Sequence, residues 1–287
     1  MHKTFWLLLL FVVAFMQPVY ADAAQPCDGE TIQAVAAWAG VKGKLVSAYK
    51  DPPGGLIAAA ACKKMPNAPG TTIAAIAFVE RVEDDGYGHD SRTLLEVIAL
   101  VESGKVVAAH RATIEEDAIT QVYENSYRID TARYILSKEV RAFGVVFMSG
   151  AASGSRCADA GYGSDLTLWI REGENLRAVF ETNLNGWVSL DGTCEDIKET
   201  RSEYAEMTIS IEKTSSHGFA DLAITAHVKR ILCVKDSSRY SSYECPDTKK
   251  RTVRTVVKYD GKSYGINMSR TFWWPQEVHQ KWKTESE

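Results

Sequence analysis

Two carboxylate-rich loops hold the side chains best suited to chemistry. Asp84-Asp85-Gly86-Tyr87-Gly88-His89-Asp90 and Asp159-Ala160-Gly161-Tyr162-Gly163-Ser164-Asp165 agree at five of seven positions. Acids gathered around glycine can hold a hard cation such as Ca2+, which takes roughly six to eight oxygens. The candidate ligands are Asp84, Asp85, Asp90, Asp159 and Asp165. Their spacing departs from the alternating acid pattern that such a loop uses. The same residues also suit tight inter-strand turns: Gly86, Gly88, Gly161 and Gly163 permit positive φ, and Asp90 and Asp165 can cap backbone N–H groups. The turn reading asks for less, so no cofactor is expected, and Ca2+ is the metal to look for.

Histidine is the next source of chemistry. His89 and His217 fall in turn-rich loops and could converge with Asp90 or Asp165 on one face. A Ser–His–Asp site also needs a positioned serine. The chain has no Gly-x-Ser-x-Gly elbow, no His-Glu-x-x-His, no P-loop and no Gly-x-Gly-x-x-Gly. No catalytic residue is assigned on this basis.

Aromatics offer recognition rather than reaction. Tyr240 and Tyr243 lie between Cys233 and Cys245, and Trp273-Trp274 sits near the C-terminus. Tyr and Trp bring contact area at low entropy cost. These four are the candidate binding residues, with core packing as the alternative for the tryptophans.

The compartment frames these options. His2 and Lys3 precede an apolar run from Trp6 to Met16, and Val19-Tyr20-Ala21 offers small residues for cleavage. The run is too short for a bilayer core of about 30 Å, so residues 1–21 read as a cleaved signal peptide and the product as a periplasmic or secreted protein. In an oxidising compartment the six cysteines, Cys27, Cys62, Cys157, Cys194, Cys233 and Cys245, favour disulfides. Many pairings are open, and the simplest is sequential: Cys27–Cys62, Cys157–Cys194 and Cys233–Cys245.

The bulk composition is that of a globular protein, with 287 residues, 45% apolar and 24% charged. Cleavage removes one base and no acid, taking the formal charge from −4 to −5. A nucleic-acid partner would want a basic face and is not expected; neither is membrane insertion.

Those candidate residues must be positioned mainly by strands. Apolar or alternating runs with Gly punctuation occur at Ile73–Val79, Thr93–Val101, Val106–Ala109, Ala142–Met148, Leu166–Ile170, Leu176–Phe180, Met207–Ile211 and Leu222–Val228. Thr252–Tyr259, Asp260-Gly261 and Ser263–Ile266 read as a hairpin. Helical spacing is confined to Glu30–Ala39 and to Ile114–Glu124, the latter with Thr113 and Glu116 at capping-box spacing.

The paired loops form an internal repeat, with Gly218-Phe219-Ala220-Asp221 as a degenerate third copy. Uneven spacing, 75 residues from Asp90 to Asp165 but 56 from Asp165 to Asp221, excludes a solenoid. Gly218-x-x-Asp221-Leu222-x-Ile224, with Asp165-Leu166-Thr167-Leu168 as its echo, resembles the ending of FG-GAP or VCBS-type β-propeller repeats. Asp130–Tyr134 and Val140–Val145 resemble segments of uncharacterised exported proteins of Gram-negative bacteria. The propeller resemblance implies a periplasmic inhibitor or immunity protein that binds and blocks a cell-wall-degrading enzyme.

The expectation is therefore one all-β domain over 22–287, with repeat units near 54–112, 126–186 and 187–270. Its architecture would be an irregular propeller, with a barrel or sandwich as the alternative, after a short helix. Its function would be non-catalytic binding of a protein partner in the envelope. The alternative is an envelope hydrolase with its site in the repeat loops.

Overall fold

The computed structural model describes residues 25–84, 90–151, 158–191, 199–235, 243–265 and 271–278. Its single long helix, α1 (Gly29–Ala39), starts where the Asp28 carboxylate accepts the Thr31 N–H at 2.7 Å. It stops at Gly40, whose left-handed φ of 76° lets its N–H reach back to the Ala36 and Ala37 carbonyls.

After α1 the long elements among the described residues are all strands. β1 (Ile57–Met65), β2 (Ala68–Asp84), β3 (Asp90–Glu102) and β4 (Lys105–Glu115) form an antiparallel meander. β5 (Tyr127–Ile135), β6 (Arg141–Phe147), β7 (Ala160–Glu172) and β8 (Asn175–Ser189) form a second one. β9 (Glu199–Ser216), β10 (Phe219–Lys235) and β11 (Tyr243–Val257) complete the set. One parallel bridge, Ala109↔Asn175, joins β4 to β8, while the far end of β8 pairs with β9 from Asn185↔Glu206 to Ser189↔Ser202. All eleven strands thus belong to one open mixed sheet, and it does not divide into separate blades.

Side-chain alternation sorts this sheet into layers. On β2, Ala74, Ile76 and Phe78 face α1, whereas Ile73, Ala75 and Ala77 face the second meander. The alanines of β1 and β2 form a low wall against which Tyr127, Phe143 and Trp169 fit from the opposite side. The second meander is buried on both faces. Its other side carries Leu166, Leu168, Ile170, Val179 and Phe180 against Leu222, Ile224 and Ala226 of β10. Each such Leu, Ile or Phe removed from water contributes about 1.5–3 kcal/mol.

Two local expectations are overturned. Ile114–Glu124 is not helical: Ile114 and Glu115 are the last residues of β4, and the acids that would cap a helix are used elsewhere. Asp117 accepts the Ile119 and Thr120 N–H groups, and Glu116 is held by Arg92. The hairpin around Asp260-Gly261 shrinks to one bridge, Tyr259↔Tyr264, because Thr252–Val257 is taken up by β11 pairing with β10. The Cys27–Cys62 disulfide is present, with a Cα–Cα distance of 4.8 Å. Cys233 is also in a disulfide, and the register between Leu232↔Asp247 and Val234↔Glu244 puts the Cys245 backbone across from it. Cys157 and Cys194 lie outside the described residues. Among the described residues, no helix is long and apolar enough to cross a membrane.

Candidate functional site

The strand order β1-β2-β3-β4-β8-β7-β6-β5 brings its two ends, β1 and β5, side by side without pairing them. Both strands run in the same direction. Between them lies a seam, and Gln25 spans it at one point. Its backbone carbonyl accepts the Cys62 N–H at 2.8 Å. Its side-chain amide donates to the Ile129 carbonyl at 3.0 Å and accepts the Ile129 N–H at 2.7 Å. A primary amide here does what a peptide group does in a sheet. Disulfide-bonded Cys27, two residues on, anchors this segment to β1.

Beyond Gln25 the seam widens into a cleft of about 740 Å³, within the usual range for ligand sites. Ala58–Ala61 form one wall and Tyr127 the other, with Lys50, Glu124 and Met148 at the mouth. Alternation along the strands decides which backbone groups face it. Because Cys62 and Ile129 present theirs to Gln25, Ala60 and Tyr127, two residues away on unshifted registers, present theirs to the cleft. Neither has a backbone partner on that side among the described residues. Ile57 closes the far end, bonded to the Val46 carbonyl at 3.0 Å and the Ala48 N–H at 2.8 Å.

The lip of the cleft is held by one arginine. Arg92 donates to both oxygens of Glu116, at 2.6 and 2.7 Å, to the Tyr49 hydroxyl at 2.7 Å and to the Val122 carbonyl at 2.6 Å. Tyr49 stacks on Tyr123 with ring centroids 5.8 Å apart. Ser47 Oγ bonds the Glu124 carboxylate, so this acid is already engaged. The 44–50 and 116–124 segments are thereby tied to each other. Hydrogen bonding to Glu116 holds the Arg92 proton more firmly than usual, and burial pushes the Tyr49 phenol up.

Behind the cleft wall lies a polar cluster. Tyr127, whose backbone lines the seam, donates its hydroxyl inward to Glu96 at 2.6 Å. His110, opposite Ile98 in register, packs on Trp169 with ring centroids 4.8 Å apart. The buried Trp169 Nε1 has no hydrogen-bond partner among the described residues. Burial raises the Glu96 carboxyl above its ordinary 4.5, while Tyr127 and the His110 charge pull it back. Burial also drives the Tyr127 phenol well up.

The sign of a stability effect follows. A carboxyl raised in the folded state supports folding below its ordinary value and loses that support as pH climbs through the raised one. Glu96→Gln removes the loss. The variant is expected to gain stability relative to wild type as pH rises from about 4.5 towards neutrality, measured by urea unfolding across that range. A difference independent of pH would show that Glu96 is not strained by burial.

The candidates read from the sequence lie elsewhere. Trp273 is fully buried and Trp274 nearly so, at 0% and 8% exposure. They pack at 84° to each other, with Tyr162 stacked on Trp274. Both rings belong to the core cluster around β10, the core-packing alternative stated for this pair. Tyr240 lies outside the described residues, as does the side chain of Tyr243.

Among the acids, Asp84 and Asp90 are the last rung of β2–β3, and Asp85 and His89 lie outside the description. Asp165 bonds Asn183 across β7–β8, and the carbonyl of Asp159 accepts the Ser189 N–H. His217, at a left-handed φ of 48°, meets the Tyr259 carbonyl at 2.9 Å through Nδ1. Among the described residues, no group of three or more His, Cys, Asp or Glu is arranged to hold a metal.

Sequence reasoning missed the seam, though one signal for the cluster was visible. Glu96 and His110 are polar residues set inside otherwise apolar strands. Nothing in Gln25 or Ala60 marks them, since their roles come from where the sheet curls. Comparison with protein-family models, curated proteins and solved structures finds no match.

Proposed function

We propose that this chain is a non-catalytic binding module of the bacterial envelope that engages a protein partner through the β1–β5 cleft. The observation that carries this reading is the pair of strand edges, at Ala60 and Tyr127, that face one cleft with no backbone partner there among the described residues. Open strand edges are templates for pairing with another chain, and folded proteins normally cover them. The rigid lip made by Arg92, Glu116 and Tyr49 supports the same reading, because a preorganised site loses less on binding. The exported setting and the inhibitor-like role come from the leader-like N-terminus and the repeat resemblance, and both belong to the proposal.

The test is capture from envelope extract by the purified protein, run beside Ala60→Arg, whose side chain would fill the cleft. The expected result is a polypeptide retained by wild type and absent with the variant, with both baits equally folded by circular dichroism. Identical capture by the two baits, or none by either, would overturn the reading.

A further inference from the structure

We infer that the β1–β5 cleft takes the C-terminal end of a partner polypeptide, held as a short extended strand with its free carboxylate near Lys50. This rests on the cleft being the binding site proposed above and goes further by naming the chemistry of its occupant. Three observations carry it.

The first is the station already filled. Gln25 shows which pairing the seam accepts: one donor and one acceptor to Ile129 on β5, and one acceptor to Cys62 on β1. Two residues further along, Ala60 and Tyr127 repeat the same outward-facing donors and acceptors, with no partner on that side among the described residues. A peptide backbone reproduces the Gln25 amide there, and a lipid tail does not.

The second is length. The open stretch of the β1 edge is bounded by Cys62, bonded to Gln25, and by Ile57, bonded to Val46 and Ala48. Five strand steps make about 17 Å between those bounds, of which only the middle is free. That suits roughly three extended residues. A continuing strand would run into Gln25 and Pro26 at one end and into the Val46–Ser47 segment at the other. A chain end has to turn out of this slot only once, on its upstream side. The wall of Ala58–Ala61 leaves room for side chains of the guest on that side.

The third is charge. Lys50 lines the cleft, and the carboxylate there, Glu124, is already bonded to Ser47 Oγ. The exposed Lys50 ammonium at the mouth complements a terminal carboxylate, which can form a charge-assisted hydrogen bond that a terminal amide cannot. Capture of a chain end combined with strand addition is a recurrent mode of peptide recognition.

The experiment uses fluorescein-labelled pentapeptide pools of mixed sequence, identical except that one ends in a free carboxylate and the other in an amide. Fluorescence anisotropy is followed against the full-length mature protein. The free-acid pool is expected to bind saturably and at least tenfold more tightly than the amide pool. Lys50→Ala, an exposed change that leaves the Arg92 clamp intact, should erase most of that difference. Ala60→Arg should abolish both.

Equal binding of acid and amide, or a preference that survives Lys50→Ala, would overturn the assignment of a chain end. Absence of binding to either pool would overturn the peptide-slot inference as a whole. If envelope capture still depends on Ala60 in that case, the binding-module reading stands and only the identity of its occupant fails.

Discussion

Replacing Arg230 and Arg251 together by Ala is expected to cost about 3–5 kcal/mol of stability, the range for stranding a buried charge. Glu203 on β9 is the reason. Its side chain is 1% exposed, whereas those of Arg230 and Arg251 are 35% and 37% exposed. Arg230 reaches it at 2.8 Å from β10, and Arg251 bonds its other oxygen from β11. The same Arg251 group donates to the Trp273 carbonyl at 2.6 Å, linking the last strand to the C-terminal segment.

The asymmetry of exposure sets the direction. Removing the acid leaves two arginines that can turn to water, but removing the arginines leaves a carboxylate with nowhere to go. Glu203→Gln in the double-Ala background should therefore recover at least half of the loss. Urea denaturation of the three proteins measures it. A double-Ala variant within about 1 kcal/mol of wild type would mean that Glu203 finds solvent or another donor.

Arg92→Ala is expected to cost a similar 3–5 kcal/mol, and its effect should appear at the cleft as well as in global stability. Arg92 and Glu116 are both largely buried, at 16% and 7% side-chain exposure. Without the guanidinium, Glu116 keeps only the Val122 N–H at 2.7 Å. Tyr49 and the Val122 carbonyl each lose a charge-assisted donor. Amide hydrogen exchange should then accelerate across residues 44–50 and 116–124 more than in β9–β11. Lys at this position keeps the charge but not the fork, and it should recover less than half of the loss. Uniform exchange in both regions would show that Arg92 stabilises the whole fold and does not govern the lip.

How much of this was legible beforehand depends on the type of residue. The β-branched and aromatic strands, β2, β3, β6, β7 and β10, announce themselves through Ile73, Ile76, Phe143, Val145 and Ile224, whose alternation survives into the fold. α1 was equally clear because Asp28 and Gly40 punctuate it. β1 was not. Ile57-Ala-Ala-Ala-Ala-Cys62 has the composition of a helix, and only packing against β2 and the large side chains of the second meander makes it a strand. The Ile114–Glu124 error has a matching cause, since a capping-box spacing cannot reveal that Arg92 has claimed Glu116. The tryptophans could not be placed for want of burial information: an aromatic pair reads alike in a core and on a surface. The cleft depends on two strand edges that Gln25 bridges through Ile129, 104 residues away from it, a juxtaposition that no local pattern encodes.

That separation also orders events as the chain is made. A chain emerging N-terminus first offers Gln25 long before Ile129 exists, so the seam cannot be bridged until β5 has followed. The Cys27–Cys62 crosslink spans only 35 residues and can form as soon as β1 is out. Once made, it parks Gln25 beside Cys62 and removes most of the wandering that a free N-terminal segment would explore while waiting. The disulfide thus acts as a bookmark in time: it holds the place on β1 at which β5 will later arrive.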